Sequence, residues 1–122
     1  MTPDEITQIN REVCEALFGK CDWTEVHGGA GHHCSTHGWY SMFRKCSQPD
    51  LTLPENLHTL ISAALKVGIT ITPYPDGSTA WEFERENEED GSYDVTFGKT
   101  EGDPDLSIAV LKAVHAALKE RK

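Results

Sequence analysis

Nowhere in its 122 residues does the chain hold an apolar run long enough to cross a bilayer, which takes about 20 residues. The opening "MTPDEITQINREV" is polar and acidic where a secretory leader would be basic and then apolar. A cytoplasmic protein with reduced thiols is therefore expected. Clustered positive charge is also lacking. Eleven Lys and Arg stand against twenty Asp and Glu, for a net charge of −9. Phosphate backbones are bound by concentrated Lys and Arg, so direct nucleic-acid binding is not expected. There is no internal repeat and no long linker. "GGAGHH" lacks the spaced glycine and the Gly-Lys-Ser/Thr ending that would make it a phosphate loop. Hydrophobic residues make up only 38% of the chain, enough for one modest core and therefore one domain, 1–122.

Negative charge is abundant, and it is concentrated. Residues 82 to 105 carry ten acids against Arg85 and Lys99, a local net of −8. Such a run is either a solvated face or a docking surface for a basic protein partner. In the second reading Glu86, Glu88, Glu89 and Asp90 are the partner-binding residues.

The periodicity sorts the chain into elements. "TPDE" sets Thr2 as N-cap, Pro3 at the first helical position and Glu5 three residues on, a capping box. Ile6, Ile9, Val13, Ala16 and Leu17 follow at helical spacing, and Gly19 ends the helix. Cys14 lies beside that stripe and reads as a small core residue. A second helix is predicted from "TLPE", with Leu57, Leu60, Ile61, Ala64 and Leu65 as its buried face and Gly68 as its stop. The period then becomes two. "GITITP", "AWEFER" and "SYDVTF" alternate apolar and polar residues, and turns bearing Asp-Gly separate them. This predicts an antiparallel meander whose apolar face holds Ile69, Ile71, Trp81, Phe83, Tyr93, Val95 and Phe97. A last helix is predicted from "GDPD", with Asp103 as N-cap and Leu106, Val110, Ala113, Val114 and Ala117 on its core side. The expected fold class is α+β: a three- to four-stranded antiparallel meander packed with three helices, plus a Cys/His-rich loop segment at 21–46. "GWYSMF", residues 38–43, is the candidate fourth strand.

The 21–46 segment holds three of the four cysteines and four of the six histidines. Cys34 and His37 are close enough in sequence for one tight turn to offer both to a single ion. Cys21 before them and Cys46 after them could complete a tetrahedral zinc shell. His32 and His33 are reserve ligands, and His27 is a more distant one. The doubled C-x-x-C of a zinc ribbon is missing, so an ordinary polar loop with free thiols and a disulfide remain alternatives. A catalytic reading is also open. Cys34 with His32, His33 or His37 has the composition of a Cys/His hydrolase, and a metal hydrolase would take Glu25 or Asp22 as its base.

In layout the chain resembles the phage ABA-sandwich domain family, small α+β proteins of bacteriophage and prophage genomes. The matching features are a leading helix ending at "LFG", the aromatic segment "GWYSMF", and "QPDLTLPEN" before the second helix. A meander with "ITPYPDG" and "WEFE" follows, and "DLSIAVLKAVHAALK" closes the chain. The resemblance implies a phage-type protein in the host cytoplasm and brings no catalytic residues with it. The expected function is binding of a protein partner without catalysis, with a structural zinc ion. The alternatives are a phage-encoded inhibitor of a bacterial defence system acting through its acidic surface, and a metal-dependent hydrolase.

Overall fold

The computed structural model describes residues 2–26, 31–41 and 47–121. Among them helix α1 spans Pro3–Phe18, strands β1, β2 and β3 span Trp23–Val26, Gly31–Cys34 and Trp39–Ser41, and helix α2 spans Leu57–Lys66. Strands β4, β5 and β6 follow at Ile69–Pro73, Thr79–Glu86 and Tyr93–Thr100, and helix α3 at Leu106–Arg121 closes the chain. The two sheets are each antiparallel, ordered β1-β2-β3 and β4-β5-β6. The architecture is α+β, as the periodicity predicted. Within the Cys/His segment the described residues include the separate sheet β1-β2-β3, and the candidate fourth strand falls there as β3 and not in the meander.

Helix α1 starts as its sequence demands. The Thr2 side chain accepts the Glu5 N–H at 3.2 Å, and Pro3 follows the cap. At the other end Gly19 has φ of 82°, and its N–H reaches the Glu15 carbonyl at 3.1 Å. Asn10 ties the helix to the next connection. Its Oδ1 accepts from the Leu51 N–H at 2.8 Å and its Nδ2 donates to the Pro49 carbonyl at 3.2 Å. Leu51 is fully buried in the core cluster.

Two predicted helix starts move. Asp50 accepts both the N–H and the hydroxyl of Thr52, so Thr52 is committed to a turn and cannot cap. A short 3-10 turn, Pro54–Asn56, then leads into α2. The stripe facing inward is Leu60, Ala63 and Ala64, while Leu65 is exposed, against expectation. Helix α3 is capped by Asp105, whose Oδ1 accepts the N–H groups of Ser107 and Ile108 at 3.0 and 3.3 Å. Asp103 instead pairs with Lys112 at 2.8 Å, and that hydrogen bond holds its carboxyl below the usual range. The later start leaves Leu106 half-exposed.

Helix α3 is the centre of the molecule. Ala109, Val110, Leu111, Ala113, Val114 and Ala117 are all buried, on more of its circumference than a surface helix would cover. It packs against α1, α2 and the β4-β5-β6 sheet. His115 joins α3 to α1 through a 2.5 Å contact with Glu12. That hydrogen bond lowers the Glu12 carboxyl below its ordinary value. Trp81 and Phe83 of β5 bring the sheet to the core, with ring centroids 5.9 Å apart and planes within 10°.

The largest departure from expectation lies on β6. Its partners are Glu82↔Phe97, Glu84↔Val95 and Glu86↔Tyr93, with Gly98 opposite Trp81 and Thr96 opposite Phe83. Directly paired residues share a sheet face. Phe97, Val95 and Tyr93 therefore lie on the outer face, 76%, 53% and 65% exposed, and not in the core. The reason is steric. A Cβ at Gly98 would lie 2.4 Å from Trp81 Cζ2, so the indole occupies the space that a side chain at 98 would need.

Trp81→Ala should cost about 3–5 kcal/mol, and Gly98→Val should also lower the melting temperature sharply by displacing the indole. Phe97→Ser and Glu84→Ala on the outer face should each stay within about 0.5 kcal/mol of wild type. Thermal melts of the four variants check this; a Phe97→Ser midpoint as low as that of Trp81→Ala would refute the face assignment.

Candidate metal centre

The site begins where α1 ends. Cys21 comes two residues after Gly19, just before β1, and Cys34 is the last residue of β2. Trp23 pairs with Cys34 in the β1–β2 ladder. The Ser35 N–H donates to the Asp22 carbonyl at 2.9 Å, extending that ladder by one step toward Cys21. The Ser35 hydroxyl also bonds Asp22, to its carbonyl at 3.1 Å and to Oδ2 at 3.3 Å. Cys34 pairs with Trp39 on the other side, so residues 35–38 form the tight turn between β2 and β3. Gly38, with φ of 63°, supplies the left-handed residue of that turn. His37 lies in the turn, and its ring swings back over the sulfurs.

Its Nδ1 is 3.3 Å from Cys34 Sγ and 3.7 Å from Cys21 Sγ. Its Nε2 lies 2.9 Å from the Phe18 carbonyl oxygen. A carbonyl can only accept, so Nε2 carries the proton and Nδ1 presents its lone pair to the two cysteines. Phe18 is the last residue of α1, and its carbonyl is one of those a helix end leaves without an intrahelical partner. The imidazole satisfies that carbonyl and is oriented by it, the arrangement by which a metal-binding histidine is commonly fixed. The turn is seated closely on the helix end. A Cβ at Gly19 would come within 2.9 Å of Thr36 Cγ2, and Gln48 Nε2 donates to the Gly19 carbonyl at 2.7 Å.

The three ligand atoms of Cys21, Cys34 and His37 all lie within 4.8 Å of one another, close enough to bind a metal ion. The structure thus brings together three of the four ligands predicted from sequence. Cys46, the fourth, and His27 lie outside the described residues. The reserve ligands do not join this group. His33, paired with Tyr40, is on the β2 face away from Cys34 by strand alternation. His32, paired with Ser41, is on the same face but about 7 Å further along.

Cys14 is excluded on separate grounds. It is fully buried, donates to the Pro49 carbonyl at 3.3 Å, and burial pushes its thiol up to about 11. It is a core thiol, as its position on the α1 stripe suggested. The acidic candidates Glu86, Glu88, Glu89 and Asp90 are exposed where β5 turns into β6. Ser92 donates to Asp90 through its hydroxyl and N–H and holds that carboxyl below its usual range.

Two parts of the site had no signal in the sequence. One is the Phe18 carbonyl, which is backbone and so has no residue identity to read. The other is the second use of Gly19, which a helix-ending glycine does not advertise.

Cobalt(II) titration separates the cysteines. Cys34→Ser and Cys21→Ser should abolish or severely weaken the sulfur-to-cobalt absorption, while Cys14→Ser should keep it. Equal spectra from all three variants would exclude the assigned ligands. No known protein family, curated protein or solved structure matches this chain.

Proposed function

We propose that this chain is a small phage-type protein without catalytic activity that acts by binding a protein partner, and that structural zinc holds its 21–46 segment. Cys21, Cys34 and His37 are ligands in this reading, and Cys46 completes the shell. The observation that carries it is the His37 ring, with Nδ1 facing two sulfurs and Nε2 engaged by the Phe18 carbonyl. Zinc bonds of about 2.3 Å to sulfur and 2.0–2.1 Å to nitrogen, set tetrahedrally, give S···N edges of roughly 3.5 Å. The separations of 3.3 and 3.7 Å bracket that value. Two thiolates and an imidazole also form a donor set that suits zinc better than the hard cations, which prefer oxygen.

Burial favours a structural role over a catalytic one. Cys34 is fully buried, so its sulfur can touch an ion or its neighbours but offers no approach to a substrate carbonyl. Asp22, one of the two bases a metal hydrolase could use, already accepts from Ser35. A chain with a core this modest gains from a metal what it lacks in apolar area. The exposed acids at the β5–β6 turn support binding as the activity. They also suit the more specific reading of an inhibitor that covers a basic surface of a bacterial defence protein.

Native mass spectrometry of tag-free protein should find one zinc per chain. Chelation should raise hydrogen exchange in β1, β2 and β3 while β5 and α3 keep their protection, because their apolar packing does not involve the ion. Metal-free protein whose thiols all react before unfolding would overturn the zinc reading.

A further inference from the structure

The outer face of the β4-β5-β6 sheet is unusual for a surface. Three successive cross-strand pairs, Glu82↔Phe97, Glu84↔Val95 and Glu86↔Tyr93, each set a carboxylate beside an exposed apolar side chain. Cβ atoms in such pairs are about 4.5–5.5 Å apart, and successive pairs on one face repeat every ~7 Å. Over these three pairs the face presents an acidic row on β5 beside an apolar row on β6, and Lys99, opposite Ala80, ends the β6 row beyond Phe97. Thr70 and Thr72 of β4 extend the face, and Tyr74 stands just beyond. A shallow hollow among Thr70, Thr72, Tyr74, Glu82 and Phe97 gives it relief. Helices α2 and α3 pack on the opposite side of the sheet, in one core with Trp81 and Phe83.

We propose that this face docks a basic amphipathic protein segment in which Arg alternates with apolar side chains. The proposal rests on the reading of the chain as a binding protein and names the surface and the chemistry of its partner. Charge selects the occupant. A second copy would set Glu82, Glu84 and Glu86 against their equals, in a chain that already carries −9. A nucleic acid would be repelled by the same carboxylates. A guanidinium suits both rows at once, because its plane stacks on Phe97 or Tyr93 while its N–H groups reach the neighbouring glutamate. A cation already sits over an aromatic ring of this face, with Lys99 Nζ 4.8 Å from the ring centroid of Tyr74. The apolar residues of the segment would cover Val95 and the remaining ring edges.

The probe is a short amidated peptide of alternating Arg and Val, titrated into the zinc-loaded full chain by calorimetry and by amide NMR. Binding should move resonances of residues 82–86 and 93–99 and weaken as salt rises from about 50 to about 200 mM. A Glu–Val peptide should not bind. The double variant Val95→Ser, Phe97→Ser should bind at least about tenfold more weakly, with unchanged melting temperature and metal content. The proposal is overturned if the Arg–Val peptide does not bind, or if the double variant binds it equally well, since charge alone would then account for the affinity. It is also overturned if sedimentation shows a dimer that the double variant dissociates, because the face would then belong to a second copy. Metal content measured on the same samples separates the two readings. Zinc-loaded protein that ignores the peptide rejects only the docking face, and metal-free protein that binds it rejects only the zinc.

Discussion

The Trp81 indole lies across Gly98 at a distance that no side chain at position 98 could tolerate, and much of the outer surface follows from this one contact. The ring needs a flat patch of neighbouring backbone under it, and the glycine provides one. With Gly98 fixed on the inner face, strand alternation places Phe97, Val95 and Tyr93 outside. The inner face of β6 is then left with Gly98, Thr96, Asp94 and Thr100, so the sheet reaches the core through Trp81 and Phe83 of β5 and Ile69 of β4. Helix α3 compensates by bringing apolar residues to nearly every side. It can be buried between the sheet and the other helices because Ala109, Ala113 and Ala117 allow close approach.

The candidate metal centre depends on a different junction, the C-terminus of α1. A helix end offers unpaired carbonyls and a partial negative charge, and both suit an imidazole N–H. Docking the 35–38 turn there requires a bare backbone at Gly19, and the same glycine stops the helix. The three candidate donor atoms are thus held by two elements that fold for independent reasons. The capped helix supplies the orienting carbonyl, and the β1–β2–β3 sheet supplies the cysteine positions. This division explains how a segment with so few apolar residues can place three donors within 4.8 Å.

The two sides of the protein have different characters. One end holds soft ligands on a small sheet tied to α1. The outer face of the larger sheet holds carboxylates interleaved with apolar groups. Exposed apolar residues on a protein of high net charge do not readily drive self-association, since the charge opposes contact between like surfaces. A partner of opposite charge meets no such barrier. The acidic residues that sequence suggested for partner binding cluster at the β5–β6 turn, and the structure extends that surface down β5 through Glu84 and Glu82.

Local rules were legible where a residue's role depends on its near neighbours. The Thr2 cap, the Gly19 and Gly68 stops and the two Asp-Gly turns follow from backbone geometry within a few residues, and so does the Cys34–His37 spacing. Capping was misread where a second acceptor nearby competed. Asp50 took the Thr52 hydroxyl, and Asp105 capped α3 while Asp103 went to Lys112. The alternation of "SYDVTF" identified a strand correctly but could not choose its buried face, since period two is symmetric and apolar residues are not obliged to face inward. By itself the sequence determined the helices, the meander of β4, β5 and β6, and the cysteines and histidine able to share an ion. Tertiary structure alone decided which face of β6 is outside and which atoms meet. Both outcomes rest on contacts between residues distant in sequence, the indole against Gly98 and the His37 ring against the Phe18 carbonyl.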